Sequence, residues 1–348
     1  HPKDPGKFCP RLYCVRLQVS PTRLKCRRNV AFVAGYRGHD VTKLRQARTI
    51  EIHTAVEQIS DGMTVGLAGF SYQNPPMAIV REIIRRGLRN LTIISGPTAG
   101  IETDLLIGAG CVRCVVAAGV TLERIAGIAP AFRHHAESGR ISVWECDECI
   151  WYVALKAASW GAPYLLWPGG IGTSLPELNA DLREVKEGGK HYLRVPAIQP
   201  DIVFLHASEA DQFGNVRACR HAYLGRSFAE RALTEACAGP VICTVESIVS
   251  NKRVVSEPEW TLLHGALVAQ VPWGAHPGGV SGRYAPDLEH IDSYATAANQ
   301  LRHGNPNPYT RYLETFVEYP PDQTGYIELV GKDVLSALET RVSQDESS

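Results

Sequence analysis

A carboxylate and a glycine-rich loop lie close together in the middle of the sequence. Asp147 and Glu148 precede an apolar segment, and Pro168-Gly169-Gly170-Ile171-Gly172-Thr173-Ser174 follows it. A carboxylate at a helix start can take a proton or orient water, but it can equally cap the helix and complement its dipole. Backbone N–H groups of a glycine-rich loop can bind a phosphate or thioester, whereas the structural alternative is a plain strand-to-helix loop. Glu148 is therefore the candidate catalytic residue. The candidate binding residues of the loop are Gly169, Gly170, Gly172 and Thr173.

Three further groups of candidate binding residues lie where predicted strands pass into loops, the usual place for ligands in open α/β folds. A glutamate or histidine in such a loop can contact a substrate, but it can also hold loops together by hydrogen bonds. The structural role is the favoured interpretation for both. The residues are Gly69, Phe70 and Ser71 after Met63–Ala68, Glu246 after Val241–Val245, and His276 within 272–279.

Several familiar motifs are incomplete or missing in the sequence. Gly66-x-x-Gly69 lacks the third glycine of a dinucleotide fingerprint, the glycine-rich loop lacks a Walker lysine, and no G-x-S-x-G elbow anchors a Ser/His/Asp triad. The pairs Cys111-x-x-Cys114 and Cys146-x-x-Cys149 have a spacing found in zinc sites, but neither lies in a tight knuckle turn. We expect ordinary thiols, no metal and no disulfides.

The composition of the 348 residues is that of an ordinary globular protein, with 45% apolar and 21% charged residues. Twelve of the 36 Lys and Arg but only two of the 36 Asp and Glu lie in residues 1–48, so the remaining 300 residues carry 24 bases and 34 acids. A neutral-to-acidic body does not suggest a nucleic-acid enzyme, and no apolar run reaches the roughly 18 residues that span a bilayer. We expect a poorly ordered basic extension over 1–48, one domain over 49–348, and a cytoplasmic location without membrane contact.

The elements that must position these residues alternate between strands and helices about every 20 to 25 residues. This pattern predicts an α/β fold with an open, mainly parallel sheet, helices on both faces and a helical C-terminal segment from Asp287 onward. A helix is predicted over Cys149–Trp160 with Gly161 as its stop. Strand Pro163–Trp167 would then bring the glycine-rich loop to the same edge of the parallel sheet as Glu148. A hairpin turn is predicted at 211–215, and a long strand over Leu262–Val271.

With these residues identified, the sequence resembles the family I coenzyme A transferases, most closely the A-type subunits of the glutaconate CoA-transferase type. The resemblance covers roughly residues 49 to 330, and each matching segment is weak alone but specific in combination. The segments are Asp61-Gly62-Met63 to Gly69-Phe70, Trp167 to Thr173, Ala207 to Asp211 with Gly214-Asn215, Val245 to Val249, and Gly274 to Pro277.

The resemblance implies an active site between two related subunits. In these transferases a glutamate of the B-type subunit, in a Glu-Asn-Gly type segment, becomes a glutamyl-CoA thioester. The present sequence contains no Glu-Asn-Gly. The expected function is therefore that of an A-type subunit, which moves coenzyme A between carboxylic acids only with a B-type partner. Coenzyme A would enter as an acyl-CoA substrate, and no permanently bound cofactor is expected.

Glu148 departs from the transferase pattern, in which glutamine is usual at this position. A glutamate there is similar to the A-type subunit of the steroid ring-opening hydrolases of the same superfamily, which cleave a carbon–carbon bond in a cyclic acyl-CoA. A carboxylate can take a proton and a carboxamide cannot. A hydrolase subunit with Glu148 as base is therefore the first alternative, and an inactive acyl-CoA-binding scaffold is the second.

Overall fold

The computed structural model describes residues 46–218 and 228–345, all within one compact unit of the chain. The predictions for residues 1–45 lie outside the described residues. The strands of the described part are β1 (Thr64–Leu67), β2 (Leu91–Ser95), β3 (Thr98–Ala99), β4 (Val112–Val116), β5 (Gly119–Val120), β6 (Ser142–Val143), β7 (Tyr164–Trp167), β8 (Arg183–Glu187), β9 (Lys190–Pro196), β10 (Ile202–Asp211), β11 (Val216–Arg217), β12 (Val241–Val249), β13 (Thr261–Leu263) and β14 (Leu267–Gln270).

Helices connect most of these strands. They are α1 (Ile52–Val56), α2 (Met77–Arg85), α3 (Ile101–Gly108), α4 (Pro130–Glu137), α5 (Glu148–Ser159), α6 (Leu175–Leu178), α7 (Phe228–Ala236), α8 (Asn251–Val255), α9 (Leu288–Asn299), α10 (Asn307–Leu313), α11 (Gln323–Val330) and α12 (Lys332–Asp345). Short 3₁₀ turns cover Pro258–Trp260 and Gln300–His303, and a π-helical turn covers Glu314–Glu318.

The main sheet is parallel along the order β6-β4-β2-β1-β10-β12-β14. The antiparallel strand β11 pairs with the second half of β10, and β13 pairs with β11. From β1 the chain builds the sheet outward through β2, β4 and β6, and from β10 it builds in the other direction through β12 and β14. The sheet therefore reverses its strand order between β1 and β10, which is where open α/β sheets form a ligand crevice.

Apolar side chains on the two faces of this sheet belong to separate cores. Neighbouring residues of a strand point to opposite faces, so Ile93 of β2 packs in one core and Ile94 in the other. The first core includes helices α1 to α4, α9 and α10, and the second includes α5 and α7. Every residue of β10 is buried, as a strand covered on both faces requires. The predicted α/β fold with helices on both faces is confirmed.

The prediction for Pro163–Trp167 is wrong about the sheet to which it belongs. This segment forms β7, which pairs antiparallel with β9 in a separate three-stranded sheet in the order β7-β9-β8. The direct partner of β7 is therefore β9, and β8 pairs with β9 on its other side. The glycine-rich loop after β7 does not emerge from the parallel sheet.

Local predictions elsewhere have mixed outcomes. Helix α5 matches the predicted helix within one residue at each end, and Gly161 follows with a left-handed φ of 67°. The turn at 211–215 forms, because Asp211 and Asn215 join β10 to the antiparallel strand β11. The predicted strand Leu262–Val271 is wrong as one element, since Gly265 (φ 77°) turns the chain between β13 and β14. The C-terminal part is helical from α9 onward, as predicted.

No helix in residues 46–218 and 228–345 combines the length and apolar character of a membrane span. The division of the chain at residue 48 stays a prediction.

Candidate functional site

Parallel strands place the loops that follow β1, β2 and β6 at one edge of the sheet. These loops carry Ser71 and lead to Thr98 at the start of β3 and to Glu148 at the start of α5, respectively. The first of them borders the reversal of strand order between β1 and β10. The candidate site is therefore built at the carboxyl ends of the strands, where a parallel sheet usually binds its ligand.

Glu148 is the first residue of helix α5, and its side chain is exposed. The cap of this helix is Asp147, whose side chain accepts a hydrogen bond from the Ile150 N–H at 2.6 Å. Because Asp147 serves as the cap, Glu148 is not needed for that role. The Glu148 Oε1 atom instead accepts a hydrogen bond from Thr98 Oγ1 at 3.1 Å. The structure thus presents an open carboxylate held from one side by a hydroxyl group.

The loop with Gly69, Phe70 and Ser71 lies directly against the loop after β2. The Ser71 N–H donates to the Thr98 carbonyl at 2.9 Å, and a Cβ added to Gly96 would meet the Gly69 carbonyl oxygen at 2.1 Å. Ser71 has a left-handed φ of 53°, an uncommon conformation for a residue with a side chain. The structure therefore brings Ser71, Thr98 and Glu148 into one continuous set of contacts.

The glycine-rich loop reaches the start of α5 by a different route from the one predicted. Gly170 has a left-handed φ of 84°, and an added Cβ would meet Leu193 at 2.8 Å and Ile150 of α5 at 3.4 Å. Gly172 has a φ of 78° and open space around its α-carbon. Within the loop, the Thr173 hydroxyl donates to the Gly170 carbonyl at 2.7 Å.

The segment after this loop is tied to the residues that precede Glu148. The Asn179 side-chain amide donates to the Glu145 carbonyl at 2.8 Å, and Trp144 donates to the Asp181 carboxylate at 3.0 Å. The loop therefore lies beside the first turn of α5. Among the described residues, no direct contact joins Glu148 to the glycines of this loop.

Glu246 lies in β12 and is almost fully buried, with 10% of its side chain exposed. Its carboxylate accepts hydrogen bonds from His206 Nε2 at 2.7 Å, the Tyr284 hydroxyl at 2.8 Å and the Trp273 N–H at 2.8 Å. Burial alone would raise the pKa of Glu246, but these hydrogen bonds hold it below its usual range. Glu246 therefore joins β10, β12 and the loop after β14.

His276 is completely buried in the loop after β14. One ring nitrogen lies 2.7 Å from the Tyr326 hydroxyl and the other lies 3.2 Å from the Asp287 carboxylate. Burial lowers the pKa of His276, which keeps the imidazole neutral near pH 7. The contacts of His276 and Glu246 connect this loop to α9, α11 and the sheet.

The cysteine pairs are separate thiols. Cys111 and Cys146 are buried, and burial raises the pKa of Cys111 to about 11 and that of Cys146 to about 12. Both thiols therefore stay protonated near pH 7. The described part of the chain contains no group of three or more His, Cys, Asp or Glu side chains placed to hold a metal ion.

Thr98 was not singled out from the sequence. The available signal was weak: two glycines flank it in Gly96-Pro97-Thr98-Ala99-Gly100, directly after an apolar segment. Glu102, buried at the start of α3 behind this loop, was not singled out either. Neither residue belongs to a motif. Thr98 contacts Glu148, which lies 50 residues away, and Glu102 lies near Ser71 only in the folded chain.

Comparisons with known proteins agree with this geometry. A family profile described as coenzyme A transferase matches residues 49–271. The chain is 32% identical over 258 residues to the cholesterol ring-cleaving hydrolase IpdA subunit of Mycobacterium tuberculosis, covering 70% of this chain and 86% of that protein. It is 31% identical over 283 residues to the A-type subunit of 3-oxoadipate CoA-transferase from Pseudomonas knackmussii, covering 78% and 92%.

Two further matches extend the comparison. An uncharacterized protein of Archaeoglobus fulgidus is 31% identical over 292 residues, and the alignment covers 82% of this chain but only 62% of that longer protein. The crystal structure of glutaconate coenzyme A-transferase from Acidaminococcus fermentans matches with a TM-score of 0.77 at 23% identity, covering 84% of this chain and 96% of that one. The last match shows a shared fold. The profile spans well over half of the sequence, and the chain therefore belongs to the coenzyme A transferase family.

Proposed function

We propose that the chain is the A-type subunit of a heteromeric CoA-transferase that moves coenzyme A between carboxylic acids. The observation that carries the proposal is the open edge formed by Glu148, Thr98 and Ser71, in a chain whose family profile is that of coenzyme A transferases. The similarity to the A-type subunit of a 3-oxoadipate CoA-transferase supports the choice of this subunit type.

The proposed roles of the two subunits follow from the groups present at this edge. It contains a carboxylate, a hydroxyl group and backbone groups that can orient a thioester and the charge that develops on its oxygen. The nucleophile would be a glutamate of a B-type partner, which attacks the acyl-CoA, releases the acid and becomes a glutamyl-CoA thioester. Coenzyme A is then a substrate and no resident cofactor is required. The proposed setting is the cytoplasm.

Reconstitution with a B-type CoA-transferase chain of the same organism tests the proposal. The pair is incubated with acetyl-CoA and, as acceptor, 3-oxoadipate or glutaconate, and the thioester is trapped with hydroxylamine or borohydride. We expect transfer by the pair, none by either chain alone, and a trapped glutamate on the partner. If the chain binds acyl-CoA but shows no turnover with any B-type partner, it is instead an inactive scaffold.

A hydrolase subunit is the second candidate, because Glu148 is an acid rather than an amide. The similarity to the IpdA subunit supports this alternative to the same degree as the similarity to the transferase subunit supports transfer; in it, Glu148 takes a proton from water or substrate. The Glu148→Gln variant separates the two functions. Transfer should survive this change, whereas a proton-transfer role for Glu148 predicts a loss of about 10² to 10⁴-fold. A ring-opened product without a trapped thioester would contradict transfer.

A further inference from the structure

A buried carboxyl group lies directly behind the loops of the candidate site. Glu102, in the first turn of α3, is 3% exposed. Its Oε1 atom accepts hydrogen bonds from the Gly100 N–H at 2.8 Å and the Thr103 hydroxyl at 3.2 Å. Its Oε2 atom is buried and has no hydrogen-bond partner among the described residues. A buried carboxyl oxygen in this condition is costly when the group is ionised.

The unpartnered oxygen lies next to the main chain of Ser71. A Cβ added to Gly100 would meet the Ser71 carbonyl oxygen at 2.3 Å and the Glu102 Oε2 atom at 2.9 Å. The Ser71 carbonyl oxygen and the Glu102 Oε2 atom therefore lie on either side of the position that a Gly100 side chain would occupy. The Ser71 hydroxyl is also buried without a partner in the described part of the chain. An ionised carboxylate would repel a carbonyl oxygen here, whereas a protonated carboxyl group can donate to it.

The surroundings of Glu102 favour the protonated form. Burial, with a smaller contribution from the nearby Asp104, raises its pKa to about 7 against the opposing effect of the Gly100 and Thr103 hydrogen bonds. Asp104 lies on the same helix. The loop after β1 and the residue between β3 and α3 face Glu102 with the neutral groups of Ser71 and Gly100.

The remaining contacts lead from Ser71 to Glu148. The Ser71 N–H donates to the Thr98 carbonyl, and the Thr98 hydroxyl donates to the Glu148 carboxylate. The conformation of Ser71 has a positive φ, so it needs support from its surroundings. A change in the partner of the Ser71 carbonyl would therefore be transmitted to the hydrogen-bond donor of Glu148.

We propose that Glu102 is a positioning residue that acts in its protonated form. Its O–H group at Oε2 donates to the main chain of Ser71 and thereby holds Ser71 and Thr98 in place for Glu148. Loss of this proton removes the donor and leaves a buried negative charge beside a carbonyl oxygen. The loop of residues 69–71 then loosens as the pH rises above neutral. The effect on acyl-CoA turnover rests on the proposed function, but the effect on the loop does not.

Hydrogen exchange of the isolated chain tests the proposal without a partner or substrate. Exchange of the peptide spanning residues 66–76 is followed by mass spectrometry at pH 6 and pH 8.5, corrected for the intrinsic pH dependence of exchange. We expect loop opening in the wild type to increase about tenfold over this range, as an equilibrium shift of about one pKa unit would produce. In Glu102→Gln the amide donates at both pH values, so opening should stay low and constant.

Two other variants complete the design. Glu230→Gln is the matched control, because Glu230 is also buried, has an unpartnered Oε2 atom and a pKa raised by burial to about 7, but lies on α7. It should keep the wild-type pH dependence of the loop. Glu102→Ala should open the loop at both pH values. Should this variant fail to fold, the Gln variant alone still decides.

The proposal is overturned if the wild-type loop shows no pH dependence, or if Glu102→Gln opens the loop at pH 6. In the reconstituted pair, the pH profile of kcat/KM should lose its alkaline fall in Glu102→Gln, a change that a merely structural residue would not produce. If the loop behaves as expected but the pair transfers no coenzyme A, the proposed function fails and the role of Glu102 stands.

Discussion

Glu148 and Glu246 belong to the same parallel-sheet architecture, but their carboxylates have opposite surroundings. Glu148 is exposed and accepts one hydrogen bond from Thr98. Glu246 is almost fully buried and accepts hydrogen bonds from His206, Tyr284 and the Trp273 N–H. A carboxylate with several protein donors has little capacity left for a substrate, whereas an open one can still bind or take a proton. The contrast separates a group that can act on a ligand from one that holds the scaffold.

The Glu246→Ala substitution should give the largest loss of stability. It leaves three donors without their acceptor in a buried place, and such breaks cost about 3 to 5 kcal/mol. Urea denaturation of the isolated chain measures the free energy of unfolding. If the free energy of unfolding falls by less than about 1 kcal/mol, the buried network does not hold the loop after β14. Glu246 and Glu148 would then not differ in their structural role.

The Glu148→Ala substitution should have the opposite profile. We expect turnover of the reconstituted pair to fall about 10² to 10³-fold, as when an active-site contact to the reacting group is removed. The free energy of unfolding should change by no more than about 1 kcal/mol, because an exposed acid in a first helical turn contributes little more than its interaction with the helix dipole. Unchanged turnover would remove Glu148 from the site. A destabilisation similar to that of Glu246→Ala would make it a structural residue.

Sequence reasoning predicted the elements that depend on local pattern. Helix α5 was predictable because an acidic cap, an apolar segment and a stop glycine lie in order within one stretch of chain. The membership of β7 was not predictable, because Tyr164–Trp167 is uniformly apolar and gives no sign of its covered face. In the structure Tyr164 and Leu166 are exposed, and its partner β9 lies almost thirty residues later.

The site was predicted only where its residues follow elements with a clear pattern. Glu148 and the loop of residues 69–71 follow or begin such elements, so the sheet brings them to one edge. The contacts of Thr98 and Glu102 depend on how two loops pack together, which no spacing in the sequence encodes. The turn at Gly265 did carry a local signal, since glycine between two apolar segments favours a turn.

The buried network around His276 should also make the stability of the chain depend on pH in the acidic range. Burial, together with the nearby Arg81 guanidinium, lowers the pKa of His290 to about 3. The unfolded chain binds a proton at this residue below pH 6.5 and the folded chain does not, so stability is fully present above pH 6.5 and falls as the pH decreases. From pH 7 to pH 5 this effect amounts to about 2 kcal/mol.

The variant His290→Gln should reduce this acid-dependent loss, measured as the difference in unfolding free energy at pH 7 and pH 5. His303→Gln is the control, because His303 is exposed. Equal acid losses in the wild type and in both variants would show that His290 is not held neutral by the network around His276.

The smallest expected effects come from substitutions in the glycine-rich loop, which test whether this loop belongs to the exposed site. Alanine at a left-handed position costs about 1 to 2 kcal/mol in backbone strain. Gly172→Ala should show this strain alone, because an added Cβ there meets nothing within 4 Å. Gly170→Ala adds a clash with Leu193 at 2.8 Å and should be the more destabilising of the two. The two midpoints of chemical denaturation give this ranking.

For substrate binding we expect the opposite ranking, in which Gly172→Ala has the larger effect and Gly170→Ala the smaller. The space beside Gly172 is open in the chain itself, so a methyl group there can only obstruct a molecule that approaches the loop from outside. We expect Gly172→Ala to raise the KM for acyl-CoA about tenfold, which corresponds to about 1.4 kcal/mol of binding free energy. An unchanged KM would make residues 168–174 a plain strand-to-helix connection, and the open edge would then consist of Glu148, Thr98 and the loop after β1 alone.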